Sequence, residues 1–155
     1  MQYTNLPRTN IKVSRMCLGT MMFGDQTNEA DSIAIMDYAY DNGVNFWDTA
    51  SSYANGEGEK VVSKGLKGRR EKIILATKVF GQIGDDMNAR GLNRRHIINS
   101  TDISLKKLDT DYIDLMYMHS PDHETDVEES LDTLSTLVRA GKIRYIGISN
   151  YAACR

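Results

Sequence analysis

Apolar and polar residues alternate along the chain in blocks that predict strands and helices in regular succession. Short runs that are apolar at nearly every position are typical of strands buried on both faces, whereas apolar residues three and four apart mark one face of a helix. The predicted strands are 16–20, 44–48, 73–78, 112–119 and 143–149, and the predicted helices are about 28–41, 57–67, 94–108 and 125–140. The polar stretches MQYTNLP and NIKVS predict a small hairpin before the first of these strands.

Two helices carry clear boundary signals. Asn42-Gly43 provides a stop after the first helix. Thr125-x-x-Glu128 predicts a capping box, in which the hydroxyl and the carboxylate satisfy free backbone N–H groups at the start of the last helix. The buried stripe of that helix is predicted to be Val127, Leu131, Leu134 and Val138.

The alternation of strands and helices predicts a parallel sheet covered by helices, which both a doubly wound sheet and a (β/α)8 barrel would satisfy. A doubly wound sheet gathers its site at one switch point, usually beside a Gly-rich turn after the first strand. Here that turn reads GTMMFG, which is not the dinucleotide fingerprint. A barrel instead takes its catalytic groups from the C-terminal ends of several strands. The sequence favours the barrel because polar residues end four successive strands, namely Asp48, Lys78, His119 and Ser149-Asn150.

The composition excludes several classes of protein. A formal net charge of -2 on 155 residues argues against nucleic acid as the main partner, and the basic run from Lys67 to Arg70 is interpreted as a solvated loop. No apolar stretch approaches the roughly 18 residues needed to cross a bilayer, and the N-terminus lacks a signal-peptide core. Two distant cysteines without metal-ligand spacing, Cys17 and Cys154, predict a reduced, cytoplasmic protein with no metal site.

The segment FWDTASSY places an aspartate and a tyrosine directly after an apolar strand. Taken singly, each polar residue near a strand end has an ordinary structural explanation. These are a turn cap for Asp48, packing for Tyr53, a solvated edge charge for Lys78 and a loop position for His119. Their occurrence at consecutive positions around one predicted rim makes chance a poor explanation for the set.

These four residue types suit the reduction of a carbonyl group by hydride. The carbonyl oxygen needs a proton as the transition state develops, and a free tyrosine rarely gives one near neutral pH. A nearby ammonium favours the phenolate, and a carboxylate within hydrogen-bond distance keeps the ammonium protonated. We therefore expect Tyr53 to act as the general acid, with Lys78 and Asp48 tuning it. We expect His119 to orient the substrate carbonyl.

Five segments resemble the aldo-keto reductase superfamily, in the order in which that family shows them: LGTMMFG, FWDTASSYANGEGE, ILATK, SLKKLDTDYIDLMYMHSPD and AGKIRYIGISN. The resemblance implies a (β/α)8 barrel preceded by a hairpin that closes its bottom. It also implies NADPH-dependent reduction of aldehydes or ketones to alcohols, with a small-molecule carbonyl compound as the substrate. The family's catalytic tetrad falls on Asp48, Tyr53, Lys78 and His119.

The resemblance also assigns cofactor contacts and reveals two departures. Ala54 follows the tyrosine where the family usually has glycine, and Gly58-Glu59 stands where Ser-Glu is common. Both changes lie on a loop, where they alter the local pocket shape and leave the tetrad intact. The cofactor contacts implied by the resemblance are Gly19, Thr20, Met21, Asp48, Ser149 and Asn150.

The resemblance implies a family length of roughly twice this chain. Independently, barrels of this class need at least about 200 residues, more than the 155 present here. We therefore expect residues 1–155 to be the N-terminal part of a single barrel, comprising the hairpin and about the first four and a half βα units. The other half, which holds the family's sites for the cofactor phosphates, would come from a separate chain or segment. Two alternatives stay open: a non-enzymatic regulatory subunit of the potassium-channel β type, or an inactive half-barrel fragment.

Overall fold

The structure is a computed structural model that describes residues 1–152. A hairpin of β1 (Tyr3–Asn5) and β2 (Lys12–Ser14) precedes five strands that alternate with four helices among these residues. The strands are β3 (Cys17–Gly19), β4 (Phe46–Asp48), β5 (Ile74–Val79), β6 (Ile113–Met118) and β7 (Ile143–Ile148). The helices are α1 (Glu29–Asp41), α2 (Gly58–Leu66), α3 (Arg94–Leu108) and α4 (Val127–Arg139), with short 3-10 helices at Tyr53–Gly56 and Arg70–Lys72. Every predicted element is present in the predicted order.

The strands from β3 to β7 form one parallel sheet in chain order. A doubly wound sheet reverses its strand order at a switch point, whereas a consecutive order continues in one direction, as the wall of a barrel does. Right-handed connections between such strands place all the helices on one face of the sheet. Accordingly, α1 contacts α2, α2 contacts α3, and α3 contacts α4. The topology is that of the barrel which the sequence favours.

The register of the sheet brings polar side chains to the face opposite the helices. Gly19 pairs with Asp48, Asp48 pairs with Ala76, and Lys78 pairs with Tyr117. Because side chains two residues apart on a strand share a face, these residues line one surface of the sheet. The alternate positions face the helices and form the hydrophobic core, whose fully buried members include Trp47, Met36, Leu75, Ile97, Met116 and Leu134.

Hydrogen bonds attach the hairpin to the end of the sheet at which the strands begin. The hydroxyl of Tyr3 donates to the carbonyl oxygen of Gly43 at 2.9 Å. The side chain of Asn45, the residue before β4, accepts from the backbone N–H of Ser14 at 2.7 Å and donates to the carbonyl oxygen of Lys12 at 3.0 Å. The hairpin therefore lies at the bottom of the sheet, away from the polar strand ends.

The capping box predicted at Thr125 is wrong. The N-cap of α4 is Asp126, whose side chain forms no capping hydrogen bond. The hydroxyl of Thr125 instead donates to a carboxylate oxygen of Asp122 at 2.9 Å. A charged acceptor forms the stronger hydrogen bond, so Thr125 belongs to the turn before the helix.

The predicted buried stripe of α4 is only partly correct. Leu134 is fully buried and Val138 is half-buried, but Val127 and Leu131 are 46% and 40% exposed. The helix packs on α3 and β7 through a face on which small polar side chains occupy core positions. The buried residues of this face are Ser130, Thr133, Leu134 and Leu137.

The prediction that the basic run is a solvated loop is wrong at Arg70. Its guanidinium pairs with the carboxylate of Asp114 at 2.9 Å, and the two side chains are only 14% and 11% exposed. The guanidinium also donates to the carbonyl oxygens of Ile73 and Tyr112, just before β5 and β6. Asp114 in turn accepts from the backbone N–H of Leu75 at 3.0 Å. This ion pair joins the beginnings of two neighbouring strands.

We expect Arg70→Met to lower the free energy of unfolding by about 3 to 5 kcal/mol, because it leaves the nearly buried Asp114 carboxylate without its counter-charge. Urea unfolding followed by circular dichroism measures this change. Lys72→Met is the matched control, since Lys72 is exposed, and should change the free energy by less than about 0.5 kcal/mol. Equal effects of the two substitutions would contradict the assignment.

Candidate active site

The polar residues that the sequence places near strand ends lie together at the C-terminal edge of the sheet. Asp48 is the last residue of β4, Lys78 is the last residue but one of β5, and His119 directly follows β6. Tyr53 begins the 3-10 helix that follows β4. Backbone hydrogen bonds extend the sheet into these loops: the N–H of Ser51 donates to the carbonyl oxygen of Lys78 at 3.2 Å, and the N–H of His119 donates to that of Val79 at 3.1 Å.

The ammonium group of Lys78 connects the members of this site. It donates to the carboxylate of Asp48, to the carbonyl oxygen of Thr49 at 2.8 Å and to the hydroxyl of Tyr53 at 3.0 Å. The lysine side chain is only 9% exposed. An ammonium group has three donors and no acceptor, so all three of its hydrogen-bonding positions are used within the protein. The phenol and the carboxylate are thereby held on either side of one cation.

The ring of His119 packs against the ring of Tyr53. The two ring centroids are 6.1 Å apart and the ring planes meet at 78°, which is an edge-on arrangement. Burial lowers the pKa of His119, and the nearby Lys78 ammonium lowers it further, against the opposing charge of Asp48. This direction favours the neutral imidazole, which has one N–H donor and one acceptor nitrogen.

Residues assigned to the cofactor lie at both ends of this edge. Gly19 is beside Asp48 in the sheet, and a Cβ added to it would meet nothing within 4 Å, so open space lies above the strand here. The buried hydroxyl of Thr20 donates to the backbone carbonyl oxygen of Asp48 at 3.0 Å. Met21 follows on the loop, where its side chain is 56% exposed. The structure thus places Gly19 and Thr20 against Asp48, and it leaves Met21 in solvent.

Ser149 and Asn150 lie next to His119 at the end of β7. The side-chain amide of Asn150 donates to the backbone carbonyl oxygen of His119 at 2.8 Å and to the hydroxyl of Ser149 at 3.2 Å. Asn150 adopts a left-handed backbone conformation with φ of 63°, which asparagine tolerates better than most residues.

The structure shows where the two departures from the family pattern lie relative to Tyr53. Ala54 and Asn55 have left-handed backbone conformations, with φ of 49° and 54°. Glycine adopts this conformation without steric cost, which accounts for its usual presence after the tyrosine. A Cβ added to Gly58 would lie 3.1 Å from both the Cβ and the carbonyl oxygen of Tyr53. The expectation that Gly58-Glu59 lies on a loop is wrong, since both residues are in the first turn of α2, where the absence of a side chain on Gly58 permits the close approach of Tyr53.

Three further groups belong to this site and were not expected from the sequence. The carbonyl oxygen of Thr49 is a backbone group, for which a sequence carries no signal. Tyr117 faces the site because it pairs with Lys78, and its ring packs so closely on Gly147 that an added Cβ would lie 2.5 Å from it. The alternation of β6 could have identified it. Desolvation of the Cys17 thiol and the charge of Asp48 raise the pKa of this free thiol to about 12, although the residue as a whole is exposed, so the thiol is protonated at neutral pH.

The described residues, 1–152, contain no group of three His, Cys, Asp or Glu side chains that could hold a metal ion. Within the same range, no helix has both the length and the apolar character needed to cross a membrane. Cys154 lies outside the described residues, so the prediction that both cysteines are reduced has a structural counterpart only at Cys17.

Comparison with known proteins identifies the family. Residues 15–155 match the family model described as the Aldo/keto reductase family. The chain belongs to the aldo/keto reductase family. The parallel sheet with its helices has the fold of the (β/α)8 barrels that solved members of this family form, of which the chain covers about half.

Individual relatives of this aldo/keto reductase chain support the same assignment. The uncharacterized oxidoreductase YrpG of Bacillus subtilis is 44% identical over 163 residues, covering 98% of this chain and 50% of that protein. A probable voltage-gated potassium channel subunit beta of Arabidopsis thaliana is 38% identical, covering 99% and 48%. The holo form of the aldo-keto reductase AKR11C1 from Bacillus halodurans superposes with a TM-score of 0.87 at 36% identity, covering 97% and 50%. The chain spans about half the length of the curated relatives it matches.

We expect proton NMR to show that His119 titrates with a midpoint below the ordinary value of about 6.5, because burial and the Lys78 charge both lower its pKa. The imidazole should gain its proton only as the pH falls below that value. Lys78→Met should raise the midpoint by removing the neighbouring ammonium, whereas Lys72→Met, at an exposed lysine, should not move it. A midpoint at or above 6.5 in the unmodified protein would contradict this assignment.

Proposed function

We propose that the native polypeptide reduces aldehydes or ketones to alcohols with a nicotinamide cofactor, and that Tyr53 is the general acid. The observation that carries this proposal is the ammonium of Lys78, which donates simultaneously to the Tyr53 hydroxyl at 3.0 Å and to the Asp48 carboxylate. A structural role for Lys78 alone would not require a phenol as its third acceptor. The oxidoreductases among the relatives support the same reaction class.

Each residue of the site has a distinct role in the proposed proton transfer. As the carbonyl carbon accepts hydride, the Tyr53 hydroxyl gives its proton to the carbonyl oxygen and becomes a phenolate. The Lys78 ammonium stabilises that phenolate through their hydrogen bond, and the Asp48 carboxylate balances the charge of the ammonium, whose side chain is only 9% exposed. Neutral His119, which lies beside the tyrosine ring, donates its N–H to the carbonyl oxygen and aligns it with the phenol.

The residues at this edge fit a nicotinamide ring. The open space above Gly19, beside Asp48, gives a flat ring access to the sheet. Asn150 and Ser149 offer amide and hydroxyl groups that suit a carboxamide. When bound, the dinucleotide supplies the hydride. The choice of NADPH over NADH and a cytoplasmic location rest on the family resemblance and on the cysteine pattern.

Residues 1–155 form, in this proposal, the N-terminal part of a single barrel. The apolar side chains exposed on α4 and β7 support it: Val127 and Leu131 on the helix, Tyr145 and Ile148 on the strand. A following strand would pair with the free side of β7, and its helix would cover the exposed face of α4. Val127 and Leu131, which the sequence predicts to be buried and the structure leaves exposed, would then be covered by that following helix.

A regulatory subunit is the second candidate function. The observation that favours it is the 38% identity to a probable voltage-gated potassium channel subunit beta, at the same coverage as the identity to oxidoreductases. An intact constellation around Lys78 is compatible with both functions. The two are distinguished by whether turnover depends on Tyr53.

We expect Tyr53→Phe in the native polypeptide to lower the rate of NADPH oxidation with 4-nitrobenzaldehyde at least about 100-fold, because it removes the proton donor. Nicotinamide binding, measured by fluorescence, should change little. Tyr38→Phe is the matched control, since Tyr38 is 73% exposed, and it should keep the full rate. Equal rates for Tyr53→Phe and the unmodified protein would exclude the acid role and favour a regulatory function.

We expect the 155-residue chain, produced alone, to associate in gel filtration with light scattering, because it exposes sheet edges and apolar side chains. Ile148→Lys should reduce the association, since Ile148 is 57% exposed on the edge strand, while Met87→Lys, on a loop and 82% exposed, should not. A stable, monodisperse monomer of 17.4 kDa with full helix content would count against the half-barrel proposal.

A further inference from the structure

A carboxyl group that takes no part in the proposed chemistry lies fully buried behind the site. Glu59 is in the first turn of α2 and is 0% exposed. One of its oxygens accepts a hydrogen bond from the hydroxyl of Thr77 at 2.7 Å. The other has no hydrogen-bond partner among the described residues, although the equally unpartnered hydroxyl of Ser104 lies nearby. Burial raises the pKa of this carboxyl, against smaller opposing effects of the two hydroxyls and of Lys107.

Packing alone does not account for a carboxyl at this position. An apolar side chain of similar volume would avoid the cost of removing a carboxyl from water. The Glu59–Thr77 hydrogen bond instead fixes the distance between the two elements that carry these residues. Here those elements are the beginning of α2 and the strand β5.

The two partners are adjacent in sequence to the elements of the site. Thr77 immediately precedes Lys78, and because neighbouring strand residues face opposite ways, Thr77 points toward the helices while Lys78 points into the site. Glu59 immediately follows Gly58, whose backbone packs directly against Tyr53. On the helix-facing side of the sheet, the Glu59–Thr77 hydrogen bond therefore connects the segment that carries Tyr53 to the strand that carries Lys78.

The tyrosine segment needs such a connection. Between Tyr53 and α2 the chain passes through two left-handed residues, Ala54 and Asn55. Non-glycine residues keep this conformation only where the surrounding structure holds them in it. The Glu59–Thr77 hydrogen bond, at the start of α2, lies directly after this turn and can hold it in place.

We propose that Glu59 is a positioning residue, whose hydrogen bond to Thr77 holds Tyr53 at hydrogen-bonding distance from Lys78. The carboxyl acts through its shape and its acceptor oxygen and touches neither substrate nor cofactor. The consequences for turnover rest on the proposed function, whereas the consequences for the position of the tyrosine segment do not.

Hydrogen–deuterium exchange tests the positional claim directly. Glu59→Leu and Thr77→Val each remove the hydrogen bond and should make amides in residues 50–58 exchange roughly tenfold faster. Glu59→Gln keeps an acceptor oxygen for the Thr77 hydroxyl and should preserve slow exchange. Thr133→Val is the matched control, because the hydroxyl of Thr133 is also buried but bonds only within α4. Thr77→Val is nearly isosteric and tests the same bond if Glu59→Leu does not fold.

Steady-state kinetics of the native polypeptide distinguishes positioning from general destabilisation. Glu59→Leu and Thr77→Val should lower kcat for aldehyde reduction by roughly 10- to 100-fold with KM nearly unchanged, as expected when a reacting group is displaced. The double variant should be no slower than either single variant, because both changes break one bond. Glu59→Gln and Thr133→Val should stay within about threefold of the unmodified rate, since each leaves that bond in place.

Two results would overturn the proposal. One is exchange in residues 50–58 that is no faster in Thr77→Val than in Thr133→Val. The other is a loss of kcat in Glu59→Gln as large as in Glu59→Leu, which would assign the role to the charge of the carboxyl. If Tyr53→Phe leaves turnover unchanged, the proposed function fails, and the exchange measurement still decides whether Glu59 positions the segment.

Discussion

The arrangement of this site depends on one cation that is largely removed from water. A lysine ammonium in such a place is stable only if its donors are satisfied and its charge is balanced. Lys78 meets both conditions with a carboxylate, a backbone carbonyl and a phenol, all supplied by the eight residues that begin with Phe46 and end with Tyr53. The loop after β4 is therefore folded around the end of β5, and the position of Tyr53 follows from the requirements of Lys78.

The sheet makes this arrangement possible because its strands follow one another in chain order. Each strand end then lies beside the next, so Asp48, Lys78 and His119, which are separated by 30 and 41 residues in the sequence, meet along one edge. The Arg70–Asp114 pair joins two of the same strands at the opposite end. Polar contacts thus secure the strands at both edges, while the hydrophobic core secures them against the helices.

The family assignment and the fold agree: the chain belongs to the aldo/keto reductase family and spans about half the length of its curated relatives. The exposed apolar residues of α4 and β7 are physically unusual for a surface, and their positions continue the pattern of a barrel wall. Two of them, Val127 and Leu131, were assigned to the buried stripe of the helix from the sequence. Both observations have one explanation if the sheet continues in the complete protein.

The sequence by itself determined the order and type of the elements, because runs of apolar residues and helical spacing report local burial directly. It also singled out Asp48, Lys78 and His119, since each interrupts a pattern that apolar residues would satisfy. Other features were decided only by the tertiary structure. Arg70 was assigned to solvent because its partner Asp114 is 44 residues away, and Thr125 was assigned to a cap because the competing acceptor Asp122 has no local signature. The carbonyl of Thr49 and the link from Glu59 to Thr77 depend on distances between separate elements, which no pattern along one segment encodes.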